Sequence, residues 1–305
     1  MQNNTHSYIE DPRNKNIKIY INGEVHDRSN AKISVFDSGF LLGDGVWEGI
    51  RLHNGNLCFL NEHLARLHDG AKQINIKIPY SKEQLSEIIY HVIEKNNMDS
   101  GVHIRVIISR GEKITPYQHP GSNLGPISLV IIPEYKIANK TINKHGISLA
   151  SVSTVRGTGF NQDPKINSLS KFNCIAGCLQ AIEKNVDEGL MLDVNGYVST
   201  CNSTNFFIVK NNQVITSKGE YCLNGVTRKN IIEICREEGV DVLERNFRLE
   251  ETYDADESFV TGTFAGVIPV VDIDKNIIGD GKRGSVTKSL FDFYKKKIDR
   301  LYPRQ

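Results

Sequence analysis

Two periodicities run through this chain, and both recur on either side of one polar break. Stretches rich in Val and Ile, at 17–21, 102–109 and 127–132, read as strands; Asn22-Gly23 after the first reads as a hairpin turn. Between them, 61–73 carries Leu64, Leu67 and Ala71 at helical spacing. A second helix is expected over 81–97, where Ser81 and Gln84 form a capping box ahead of Leu85, Ile88, Ile89, Val92 and Ile93. Beyond the polar segment 133–144, strands are expected at 147–152, 189–193, 197–199, 205–210 and 258–261. Helices fit 172–183, 229–238 (capped by Thr227, ended by Gly239) and 285–301. Mixed elements in both halves exclude an all-α or all-β fold and predict an α/β (α+β) protein. With 305 residues and about 150 per domain, the break divides it into domains 1–136 and 137–305. Residues 1–16 read as a polar lead-in.

The 37 basic and 36 acidic side chains nearly cancel, leaving +1, so no nucleic-acid partner is expected. No stretch approaches the roughly 20 apolar residues of a membrane helix, and residues 1–18 hold no apolar signal core. A cytoplasmic protein with no membrane partner is expected. Six cysteines are too sparse for a disulfide framework; Cys174 and Cys178, four apart on an expected helix, read as a core-facing thiol pair, and no metal site is expected.

Chemistry is suggested first by turns. Gly39, Gly43, Gly45 and Gly49 punctuate the apolar run FDSGFLLGDGVWEGIR, which reads as a strand with bulges. Asn224-Gly225-Val226-Thr227 opens a helix, where free amides and the helix dipole favour an anion. Thr261-Gly262-Thr263-Phe264-Ala265 follows a strand and offers hydroxyls and backbone donors suited to phosphate or carboxylate.

The stretches VFDSGFLLGDGVWEGIR, FLNEHLARLHDGAK, RVIISRG, DEGLMLDVNGYVS, NFFIVKNNQV, LNGVTRKNIIEI and TGTFAGVIPV, in this order over about 17–290, resemble the class IV aminotransferases. That pyridoxal-phosphate group includes branched-chain aminotransferase, D-amino-acid aminotransferase and aminodeoxychorismate lyase. The resemblance implies a smaller N-terminal and a larger C-terminal domain, pyridoxal 5'-phosphate in the cleft between them (fold type IV), and a homodimer. It assigns phosphate binding to Arg66, whose guanidinium fork suits a dianion, and to the Val226 and Thr227 amides and Thr263. The competing expectations are a surface i,i+4 ion pair for Arg66 and simple caps for the threonines.

Two departures stand at the centre. The family's Schiff-base lysine precedes a small-residue helix; counting back from Gln180-Ala181, its position here is Asn167, and an amide neither forms an imine nor shuttles a proton at neutral pH. Lys171 lies four residues on, about one helical turn if the helix began there, where branched-chain members carry a tyrosine beside the reacting carbon. It is favoured over Lys165 as the catalytic amine; the alternative for both is a solvated lysine. After DVNGYVS the family has Glu-Gly, whose carboxylate keeps the pyridine nitrogen protonated; here Thr200-Cys201 takes that place.

On the substrate side, Tyr117-Gln118-His119 keeps the histidine of the D-amino-acid type's R-x-H motif but lacks its arginine. Trp47 stands where the family lines its pocket with Phe or Tyr, with core packing as the alternative. Arg105 matches a pocket arginine of branched-chain members, with a solvent-facing arginine as the alternative. Phe264 and Ala265 fall with Thr263 in the loop on the substrate side. The resemblance thus implies an aminotransferase for a small or branched-chain amino acid and a 2-oxo acid. Elimination (lyase) chemistry, or a ligand-binding homologue without transamination, are the alternatives.

Overall fold

A computed structural model describes residues 8–304; residues 1–7 of the expected lead-in lie outside the described residues. By compactness the chain divides into two units. The first holds 9–137, 166–171 and 302–304; the second holds Tyr8, 138–165 and 172–301.

The first unit is built on a six-stranded sheet in the order Glu24–Asp27, Lys18–Ile21, Ser128–Tyr135, Val102–Ser109, Gly45–His53, Asn56–Leu57, antiparallel throughout. Asn22 (φ 49°) and Gly23 (φ 105°) make the tight turn their sequence suggested. Strand alternation sorts the side chains. Val46, Ile50 and Leu52 of one strand and Val102, Ile104, Val106 and Ile108 of the next are buried in one core with Leu64, Leu67 and Ala71 of the helix Leu60–Gln73. Leu85, Ile89, Val92 and Ile93 of the helix Lys82–Lys95 complete it; Ser81 and Gln84 form both bonds of the expected capping box. Burying that many aliphatic side chains, at about 1.5–3 kcal/mol each, is what holds helices to sheet.

The glycine-punctuated run is a correction. Rather than one bulged strand, it forms a short helix, Ser38–Leu42, capped by the Asp37 side chain and ended by left-handed Gly43, and then the strand Gly45–His53. The buried Asp37 carboxylate also accepts hydroxyl bonds from Ser109 and Ser128 at 2.8 and 2.6 Å, so the helix start is tied to two strands.

The second unit holds a nine-stranded mixed sheet. Its path runs Val198–Cys201, Glu188–Asp193, Ile147–Arg156, Gly266–Ile273, Glu257–Gly262, Asn205–Lys210, Gln213–Thr216, Val242–Glu244, with Asn276–Ile277 added to the side of Gly266–Ile273. The helix Phe172–Glu183 packs on the strands Ile147–Arg156 and Glu188–Asp193. A Cβ on Gly189 would meet Gly177 O at 2.8 Å, so helix and strand touch by backbone there. Cys174 and Cys178 of that helix are half-buried rather than core residues; Gly177 and Ala181 take the buried face. The polar break is not structureless: it contains the end of Ser128–Tyr135, the short strand Ile137–Ala138 and the helix Lys140–His145. Among the described residues no helix is long and apolar enough to cross a membrane.

Candidate active site

The segment 166–171 lies along the start of the strand Gly45–His53. Ser168 bridges Val46, and the Trp47 and Leu169 amides donate to Asn167 O and Gly45 O, both at 2.9 Å. These residues are irregular apart from the Ser168 bridge, not helical; the helix starts only at Phe172. Lys171 therefore meets Asn167 through its own side chain rather than by a helical turn, which corrects the expected geometry. Its Nζ donates to Asn167 Oδ1 at 2.9 Å and stands 5.5 Å from the centre of the Trp47 ring, while Asn167 Nδ2 donates to Trp47 O at 2.7 Å. Asn167 is buried. Lys165 has a half-exposed side chain and faces Asp163 at 3.9 Å.

Trp47 and Arg105 share a face of the sheet. Trp47 pairs with Ile107 and Gly49 with Arg105, and the Arg105 guanidinium lies 4.0 Å from the Trp47 ring centre. A side chain at Gly49 would strike the His103 ring at 2.8 Å, so glycine makes room for that imidazole beside Trp47. Arg105 is solvent-exposed yet stacked, so neither a buried pocket residue nor a freely solvated one describes it.

On the opposite face of the same strand, Glu48 points among aliphatic side chains and is wholly buried. Arg66 grips it with two bonds, Nε to Oε1 at 2.7 Å and Nη2 to Oε2 at 2.8 Å, and His63 Nδ1 lies 2.7 Å from Oε2. His63 and Arg66 sit three apart on the helix Leu60–Gln73, hence on one face. Burial pushes the Glu48 carboxyl up, but the bonds from His63 and Arg66 outweigh it and hold it below the usual 4.5. Arg66 is thus not a surface i,i+4 pair. Neither Glu48 nor His63 was singled out in the sequence; the signal was there, since Glu48 shares the buried parity of Val46 and Ile50.

In the second unit, the helix Val226–Glu237 begins at Gly225 with no side chain capping its first amides. A Cβ at Gly225 would collide with Asn205 Oδ1, which fixes glycine at this turn. Val226 and Thr227 lie inside the first turn and are buried, so Thr227 is not the cap its position suggested. Thr263, Phe264 and Ala265 form the tip between Glu257–Gly262 and Gly266–Ile273, closed by the Gly262–Gly266 pair with Gly266 at φ +72°. Beside it, Thr261 Oγ1 is buried without a hydrogen-bond partner. Uncapped amides and an unpartnered hydroxyl suit a phosphate. Thr200 is buried and donates its hydroxyl proton to Thr204 O at 2.7 Å, leaving a neutral oxygen that accepts but carries no charge.

Glu188 is the second wholly buried carboxyl near these elements. It accepts from Ser203 Oγ at 2.6 Å and Thr204 Oγ1 at 2.8 Å, and burial, only partly offset by those hydroxyls, pushes it up to about 7.

The family model for class IV amino-transferases matches residues 45–273. Branched-chain-amino-acid aminotransferase-like protein 2 of Arabidopsis thaliana is 38% identical over 288 residues, 94% of this chain; the chain spans about half (51%) of that relative's length. The putative branched-chain-amino-acid aminotransferase of Methanocaldococcus jannaschii is 36% identical over 92% of this chain and 96% of its own. Among solved structures, the T.th. branched-chain amino acid aminotransferase complexed with N-(5'-phosphopyridoxyl)-L-glutamate is similar with a TM-score of 0.86 and 28% identity, covering 95% of this chain and 96% of that one.

Proposed function

Because the chain belongs to the class IV aminotransferase family, we propose that it is a pyridoxal-phosphate enzyme moving an amino group between a small or branched-chain amino acid and a 2-oxo acid, with Lys171 as its catalytic amine. One observation supports the choice of lysine: Lys171 Nζ is held at Asn167, where the resemblance puts the family's lysine, whereas Lys165 is half-exposed and faces Asp163. Bound, the cofactor supplies a carbonyl carbon that condenses with amines and a ring that draws electrons from the attached carbon. Arg66, the amides of Val226 and Thr227, and Thr263 would hold its phosphate. Asn167 would stand beside its reacting carbon through Lys171, and Thr200 would meet the ring nitrogen. Arg105, stacked on Trp47, offers a guanidinium fork to a substrate carboxylate, and Phe264 and Ala265 would border the side chain. Lys171 would take and return the substrate's proton at Nζ, which requires the unprotonated amine.

The same proposal includes domains 1–136 and 137–305, a cytoplasmic location and a homodimer. Exposed Val35, Phe36, Phe40, Ile114 and Leu124 support the last, on segments joined by the Asp37–Glu112 bridge. The test is to add pyridoxal phosphate to the purified protein, reduce with borohydride and map the labelled peptide. Label on Lys171, lost with turnover in Lys171→Ala and kept in Lys165→Ala, is expected; full activity of Lys171→Ala sinks the assignment. One observation favours elimination chemistry as a second reading: the neutral Thr200 oxygen cannot hold a charged ring nitrogen as a carboxylate would.

A further inference from the structure

The carboxamide of Asn167 has a neighbour of fixed polarity at each end. Trp47 O can only accept, and the Lys171 amine has an N–H to donate in either protonation state. Nδ2 must therefore face Trp47 and Oδ1 must face Lys171, the orientation found at 2.7 and 2.9 Å. The backbone is locked as well, since Trp47 N–H donates to Asn167 O at 2.9 Å and the next residue bridges Val46. Among residues of this size only asparagine satisfies both ends. Aspartate would set an oxygen against Trp47 O, and leucine would leave that carbonyl unanswered by its side chain. Lysine is the opposite case: a four-carbon stem with many rotamers, expensive to hold in one place.

We propose that Asn167 is a positioning residue, a clamp that fixes the Lys171 amine in one place beside the strand at Trp47. This rests on the reading of Lys171 as the catalytic amine. Asn167 itself exchanges no proton.

The test uses the full chain and two amine probes: pyridoxal phosphate, which needs an oriented amine, and formaldehyde, which does not, each reduced with borohydride and mapped. In Asn167→Ala the pyridoxal-phosphate label on Lys171 is expected to form about ten-fold more slowly, with formaldehyde methylation of Lys171 within two-fold of the parent chain. General loosening would raise the methylation, so it cannot imitate this result. Should Asn167→Ala fail to fold, Asn167→Ser, whose short side chain does not reach Lys171, is expected to show the same ten-fold loss of pyridoxal-phosphate label with methylation again within two-fold. Equal label rates in parent and variant overturn the clamp alone. Absence of label on Lys171 in the parent chain overturns the lysine assignment beneath it, and the clamp with it.

Discussion

Glu48 and Glu188 are both wholly buried carboxyls, one in each compact unit, and they are held in opposite ways. Glu48 faces a guanidinium fork and an imidazole and lies below the usual carboxylate range; Glu188 faces only hydroxyls and is pushed up to about 7. Burial is common to both, so partners decide the charge: two hydroxyl bonds do not replace a cation in a desolvated site. The first unit therefore contains a permanent buried anion organising Arg66, and the second contains an acid that gains or loses its proton near neutrality.

Removing one partner from each site sharpens that contrast. The largest effect is expected for Glu48→Ala, which leaves a largely buried guanidinium without its counter-charge and should cost about 3–5 kcal/mol in chemical denaturation. A cost below about 1 kcal/mol would mean that water reaches the pair. In the parent chain, the stability Glu48 contributes is complete above the usual 4.5 and is lost as pH falls through its depressed folded value.

For Glu188 the sign reverses. The folded chain holds the proton that the unfolded chain releases between 4.5 and about 7, so unfolding free energy falls as pH rises through that window. The loss approaches about 3 kcal/mol above it. Glu188→Gln should remove that slope, and parallel pH profiles for parent and variant would show Glu188 to be ionised throughout. The smallest effect is expected for Arg66→Ala: cofactor affinity, followed by titration, should weaken by about 1.5–3 kcal/mol if the guanidinium reaches the phosphate while holding Glu48. An unchanged affinity would confine Arg66 to its carboxylate.

Periodic elements are the legible part of the sequence. The helices at 172–183 and 285–301 stand where their apolar spacing puts them, and the Asn22-Gly23 hairpin follows from local backbone preference alone. The run around Gly43 escapes such reading because a five-residue helix capped by Asp37 is shorter than any periodicity can register. Thr227 misleads for a related reason: hydroxyl and glycine are both good helix starts, and the collision awaiting a side chain at Gly225 decides between them only in three dimensions. At the site, Asn167 and Thr200 can be read by position. That Lys171 turns back onto Asn167 cannot, since it depends on the pairing of 167–169 with the strand at Trp47.

Trp47 is the chain's sole tryptophan, and both its backbone groups are bonded to Asn167 while its ring lies under Arg105. The protein thus carries its one tryptophan fluorophore directly against Asn167 and Lys171. Its emission reports on that place, so movement of Lys171 against the ring can be timed in unlabelled protein.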